Sequence, residues 1–92
     1  MMQRNDFIQK HSSLFWYTPK DKLYKISDQL LVQTIFNEGT WKDVLELFQI
    51  MGKENVATVF FAAKGRMKNN YYPEIYNLFY HILKQYAQGN TE

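Results

Sequence analysis

Gly39, Gly52 and Gly65 fall at intervals of thirteen, and the two twelve-residue segments between them are largely apolar. Glycine enters left-handed backbone without a Cβ penalty and commonly stops a helix. Each of the three follows a stretch with helical spacing, so each reads as a stop. The middle of the chain is therefore expected to form two consecutive helices, an antiparallel helical hairpin at the centre of the core. Thr40 is a good N-cap with Asp43 three residues on, close to a capping box with Asp in place of Glu or Gln. Trp41, Val44, Leu45, Phe48 and Met51 then recur at helical spacing, with Lys42, Asp43, Glu46 and Gln49 on the other face. After Gly52, Val56, Val59, Phe60 and Ala63 form a stripe that Ala57, Phe61 and Ala62 widen, and no charge lies between Glu54 and Lys64. A helix apolar nearly all round is expected to be buried. The β-branched Val56, Thr58 and Val59 make a strand the competing reading, but the run is long and lacks two-residue alternation.

Outside this centre, residues 3–12 read as a short helix whose only large apolar groups are Phe7 and Ile8, hence peripheral, with fraying expected over 1–13 and 88–92. Leu14-Phe15-Trp16-Tyr17 precedes Thr18-Pro19, and the residue before proline favours extended backbone, so this stretch reads as an extended aromatic arm. Phe15 and Trp16 either pack on the protein's own helices, the more ordinary outcome, or face another chain. A charged loop follows around Leu23 and Tyr24. Ser27 is placed to cap a helix striped by Leu31, Val32, Ile35 and Phe36 and ended by Gly39. Pro73 and Glu74 open the last helix, with Ile75, Leu78, Phe79, Ile82, Leu83 and Tyr86 on one face. A disordered tail is expected over 90–92. The reading is an all-α single domain, a small bundle of four main helices near 27–38, 41–51, 53–64 and 74–87 plus a weaker N-terminal helix and arm.

Ninety-two residues, 46% hydrophobic and 17% aromatic, suit one domain with one core rather than a disordered chain. The absence of cysteine excludes disulfides and thiolate metal sites. No run approaches the roughly 18–20 apolar residues of a membrane span, and the first ten residues lack a signal-type apolar core, so a cytoplasmic location with no membrane partner is expected. A net charge of +2 is too mild to argue for nucleic acid. His11 and His81 lie far apart, and a zinc site without cysteine would need histidines and carboxylates converging from distant places, so no metal and no cofactor are expected. Ser12, Ser13 and Ser27 lie in no nucleophile-elbow setting, and the glycines cradle no phosphate. Catalysis is the least favoured class.

Two binding readings remain. Trp16, Tyr17, Tyr71 and Tyr72 are candidate contacts with a protein partner, since aromatic anchors dominate interface energetics. Alternatively Lys64, Arg66 and Lys68, beside Asn69, Asn70 and Tyr71, mix basic, amide and aromatic groups suited to weak nucleic-acid binding. A helix-turn-helix is the poorer form of that alternative, because the segment after Gly52 offers few polar groups to base edges.

The order of features also resembles a short bacterial helical family of unknown function. The matching elements are Leu14-Phe15-Trp16, Leu23, Gly39, Trp41, Met51-Gly52-Lys53-Glu54, Val56, Lys64-Gly65-Arg66 and Leu78-Phe79-Tyr80, over roughly residues 14–83. The chain departs from that pattern at Tyr17, where an acidic residue is usual, and at Gln33-Thr34, where an arginine is. Members of that family are often encoded beside nucleotidyltransferase-like toxins. The resemblance implies an antitoxin-like or accessory role, with the product of the adjacent gene as partner; self-association is also compatible with the aromatic content.

Overall fold

The computed structural model describes residues 3–63 and 69–87. Its helices are α1 (Arg4–Lys10), α2 (Asp28–Glu38), α3 (Trp41–Met51), α4 (Lys53–Ala62) and α5 (Pro73–Ala87), and no strand occurs among the described residues. The all-α bundle expected from the periodicity is the observed one. None of the described helices is long and apolar enough to cross a membrane.

Capping residues fix the helix starts where the sequence placed them. Ser27 Oγ accepts the Leu30 backbone N–H at 3.1 Å. Thr40 Oγ1 accepts from Asp43 N at 3.2 Å while Asp43 Oδ2 accepts from Thr40 N at 2.9 Å, a complete capping box. Such a pair satisfies two N–H groups that the helix itself leaves without partners. Pro73 is the first residue of α5, where its missing N–H is harmless.

The glycines act differently from one another. Gly52 has φ +87 and ψ 137, a positive φ but not the left-handed helical well, and its single residue joins α3 to α4. Its N–H donates to Phe48 O at 2.8 Å and its carbonyl accepts from Val56 N at 3.0 Å, so it closes one helix and opens the next. Asn55 Nδ2 donates to Met51 O at 2.8 Å and satisfies a further carbonyl at the same junction. Gly39 is not left-handed. Its φ is −83, and what requires glycine is crowding: a Cβ there would lie 2.8 Å from Ile35 O and 3.2 Å from Asp43 Cβ. The turn from α2 into the capping box is too tight for a side chain. Gly65 lies outside the described residues, as do Lys64, Arg66 and Lys68 and the tail over 88–92.

Other expectations need correction. α1 is not peripheral: Phe7 and Ile8 are fully buried, and Arg4 donates to Asp28 Oδ1 at 2.9 Å and to Ile26 O at 2.8 Å, tying α1 to the start of α2. The aromatic arm is not extended. Ser12–Phe15 forms a 3-10 turn, and a second one, Lys20–Lys25, replaces the charged loop and buries Leu23. On α3 the inward residues are Val44, Leu47 and Phe48, whereas Trp41 and Leu45 are exposed. α4 ends at Ala62 and is not apolar-buried all round. Val56, Ala57 and Phe60 face the core, and Thr58 and Ala62 face water.

An aromatic hub holds the helices together. The Phe36 ring of α2 stacks on Phe79 of α5 at 3.7 Å between centroids and lies 5.9 Å from Phe60 of α4 and 6.4 Å from Phe48 of α3. α4 packs most extensively against α5 and next against α2. Gln29 Nε2 bonds Val59 O at 2.8 Å across the α2–α4 contact. The radius of gyration, 12.9 Å, is close to the value of about 12 Å expected for a compact chain of this length.

Gly39→Ala is expected to lower stability by about 1–3 kcal/mol, because the new methyl must displace backbone rather than a flexible side chain. Thermal or urea unfolding checks this, and Gly39→Asn should rescue nothing, since no left-handed backbone is involved.

Candidate functional site

Burial of Phe15 sets the geometry of the candidate site. The 3-10 turn directs Phe15 into the core, so its chain neighbour Trp16 points outward and is 82% exposed. Leu14 N donates to His11 O and Thr18 N to Phe15 O, both at 2.9 Å, fixing the turn on either side. The Trp16 ring meets Tyr17 edge to face at 5.4 Å. Tyr17 is anchored in turn by a 3.0 Å hydrogen bond between its hydroxyl and Thr34 Oγ1, a buried group on α2.

Tyr72 reaches the same place from the other end of the chain. The Asn37 side chain of α2 donates through Nδ2 to Asn70 O at 3.0 Å and accepts from Tyr72 N at 3.1 Å through Oδ1. One amide thus clamps residues 70–72 to α2. The Tyr72 hydroxyl donates to Glu38 Oε2, and that hydrogen bond, with the carboxylate's charge, holds the phenol above its ordinary range. The result is a groove of about 580 Å³ along α2 whose walls include Leu14, Trp16, Tyr17, Thr34, Glu38 and Tyr72. Among the described residues its lining contains no lysine or arginine.

Three of the four expected contact residues, Trp16, Tyr17 and Tyr72, therefore share one groove. Tyr71 does not join them. It is 3% exposed, with its ring 5.2 Å from Phe60 and 6.5 Å from Phe36, and belongs to the core. Its hydroxyl is buried without a hydrogen-bond partner. Burial, then the neighbouring Tyr76, pushes that phenol well above its ordinary range. The alternation that puts Tyr72 out puts Tyr71 in. The sequence pair Tyr71-Tyr72 carries no signal of which is which.

A second cluster arises where α1 ends against the first turn of α3. His11, 9% exposed, has Nδ1 2.9 Å from Phe7 O and Nε2 2.8 Å from Asp43 Oδ1. Both neighbours are acceptors: Nδ1 donates to the Phe7 carbonyl, and Nε2 faces the Asp43 carboxylate. Burial pushes the Asp43 carboxyl up, but the Thr40 N–H and the hydrogen bond and charge of His11 outweigh it and hold the group below its usual range. Lys10 Nζ lies 3.2 Å from Glu46 Oε2 beside it. His11, Asp43 and Glu46 offer ligand atoms within 4.8 Å of one another. This is the convergence from distant positions that the sequence offered no reason to expect. His81, by contrast, is exposed on α5 and stands apart from the cluster.

No family model, curated protein or solved structure matches the chain significantly. The site is therefore read from its geometry.

Tyr71→Phe removes a buried hydroxyl that bonds nothing and is expected to raise stability by about 1 kcal/mol. The same variant carries a pH signature. Above pH 10, the ordinary value, an unfolded Tyr71 ionises while the folded one stays protonated. The unfolded state then binds fewer protons, so stability falls as pH rises, by up to about 1.4 kcal/mol per pH unit. Unfolding midpoints from pH 9 upward should fall less steeply in Tyr71→Phe than in the natural chain.

Proposed function

We propose that this chain is a non-enzymatic protein-interaction module, of antitoxin-like or accessory kind, that docks a partner protein in the groove walled by Trp16, Tyr17 and Tyr72. The observation that carries the reading is Trp16, a large ring left 82% exposed on a turn that buried Phe15 holds in place. A preordered aromatic anchor loses little conformational entropy on binding, and such residues supply most interface energy. The groove's chemistry narrows the partner. Apolar walls suit an aliphatic or aromatic side chain, and Glu38, already accepting from Tyr72, suits a flanking lysine or arginine. The same carboxylate, in a lining without lysine or arginine among the described residues, disfavours a phosphate backbone. Groove-based nucleic-acid binding therefore gains no support, and the alternative through Lys64, Arg66 and Lys68 rests on the sequence alone. The resemblance carried by Leu14-Phe15-Trp16 makes the product of the adjacent gene, a nucleotidyltransferase-like toxin in the family it resembles, the first partner to test.

Co-expression with that gene product is expected to yield a stable complex of defined stoichiometry. Trp16→Ala should weaken it by about 30-fold or more, the hot-spot threshold of about 2 kcal/mol. Tyr72→Ala should weaken it less, and neither variant should change the thermal midpoint of the free chain appreciably. Absence of a complex, or a complex indifferent to Trp16→Ala, removes the reading. Self-association lost in Trp16→Ala would replace it with a homo-oligomer built on the same groove.

A further inference from the structure

The cluster at the α1–α3 junction contributes no atom to the groove's lining, and its geometry asks for positive charge. The Phe7 carbonyl can only accept, so His11 Nδ1 must donate to it across 2.9 Å. In the neutral ring the lone pair then sits on Nε2, 2.8 Å from Asp43 Oδ1. Two lone-pair atoms at that distance repel unless a cation lies between them. A proton is one such cation at this separation; a metal ion is another once the two atoms part by about 0.5 Å, to tetrahedral ligand spacing.

The outer atoms of both groups are already fixed. A histidine that ligates a metal through one nitrogen typically donates from the other to a carbonyl or carboxylate, which sets tautomer and ring orientation. His11 is held in that way by Phe7, and its ring lies 4.4 Å from the Phe7 ring, which restricts rotation. Asp43 Oδ2 is occupied by the Thr40 N–H at 2.9 Å, which leaves Oδ1 facing His11. Glu46, one turn along α3, completes the group with its ligand atom inside the 4.8 Å span. Ligand bonds of about 2.0–2.1 Å place tetrahedral ligand atoms about 3.3 Å apart, so the Glu46 carboxylate must move inward by more than 1 Å. Among the described residues, Lys10 is the group that holds it.

We propose that His11 Nε2, Asp43 Oδ1 and a Glu46 carboxylate oxygen form a site for one divalent transition-metal ion of the zinc type. Solvent fills the remaining position, and the ion clamps the end of α1 to the first turn of α3. The charges balance. Without metal, the Asp43 and Glu46 carboxylates face the His11 imidazolium and the Lys10 ammonium. On binding, the Nε2 proton leaves to solvent, the half-exposed Lys10 swings away, and the ion's two positive charges replace theirs. One imidazole and two carboxylates favour zinc, cobalt or manganese over magnesium or calcium, which prefer oxygen alone. A short chain with a single core has much to gain from such a staple.

The test uses the full chain stripped with chelator and titrated with Zn²⁺ by calorimetry and with Co²⁺ by visible absorption. One ion per chain is expected, with a Co²⁺ spectrum of low coordination number and a thermal midpoint raised by Zn²⁺. Glu46→Gln, an isosteric change at a partly buried side chain that costs the Lys10 ion pair, should weaken binding by about tenfold or more and abolish the thermal shift. Asp43→Asn keeps an acceptor for the Thr40 N–H and should weaken binding similarly. His81→Gln should change nothing. No stoichiometric binding up to about 1 mM, affinity unchanged in Glu46→Gln and Asp43→Asn, or binding lost in His81→Gln would each overturn the site and leave a proton-held junction only.

Discussion

The contact on which the structure depends is the meeting of Phe36, Phe60 and Phe79. These rings come from α2, α4 and α5, and Phe48 of α3 reaches the same point. Each of these helices is short, ten to fifteen residues, and isolated helices of this length are marginal in water. They persist because each contributes a ring to a shared core in which aromatic area is large. Tyr71 extends the hub but brings a hydroxyl that finds nothing to bond, so the core accepts a desolvated polar atom in exchange for one more ring. The arrangement also explains why α2 matters most to the site. Its inner face carries Phe36 and Ile35. The same helix holds Thr34, Asn37 and Glu38, which position Tyr17, residues 70–72 and Tyr72.

Much of the helical layout was legible because it depends on local signals. The Ser27 cap, the Thr40–Asp43 box, the span of α3 and Pro73 at the head of α5 all follow from groups three or four residues apart. The side-chain facing on α3 was less legible. Leu45 and Leu47 are equally apolar, and only the direction from which α2 and α4 approach decides that Leu47 turns inward. Gly39 was read correctly as a stop but for the wrong cause. Its requirement is a steric one, set by Ile35 O at the end of α2 and by Asp43 in the helix that starts two residues later, whereas Gly52 does need positive φ. The N-terminal third was misread because its order is not local. Phe7, Ile8 and Leu23 are buried where α1 packs against the Lys20–Lys25 turn and α3, and short 3-10 turns leave no periodicity to find.

The candidate site was partly legible for the same reason. A run of four large side chains at 14–17 must divide between inside and outside, but which ring emerges is decided by the turn. The 3-10 turn sends Phe15 in and Trp16 out; an extended arm would also part these two neighbours but would turn Tyr17 back to the side of Phe15. Tyr71 and Tyr72 pose the same ambiguity, resolved by the Asn37 clamp. The grouping of His11 with Asp43 and Glu46 had no sequence signature. His11 lies more than thirty residues from the other two, and Asp43 and Glu46 already have ordinary roles as a cap and a salt-bridge partner.

The two places are connected through the backbone of His11. Its carbonyl accepts from Leu14 N and so begins the turn that ends at Trp16, while its ring is fastened to Asp43. Asp43 is itself locked by the capping box, so the rigidity of the α3 start passes through one side chain to the residue where the turn begins. A groove whose most exposed anchor sits on a four-residue turn needs such a fastening. A 3-10 turn has poor hydrogen-bond geometry and little stability of its own, and without the His11 tether the segment would hang on Phe15 and the Tyr17–Thr34 hydrogen bond. These attachments fix both the depth and the rotation of the segment. That is what converts an exposed tryptophan from a loose side chain into a preordered contact, and it makes the junction of α1 with α3 part of the groove's mechanics despite contributing no atom to its lining.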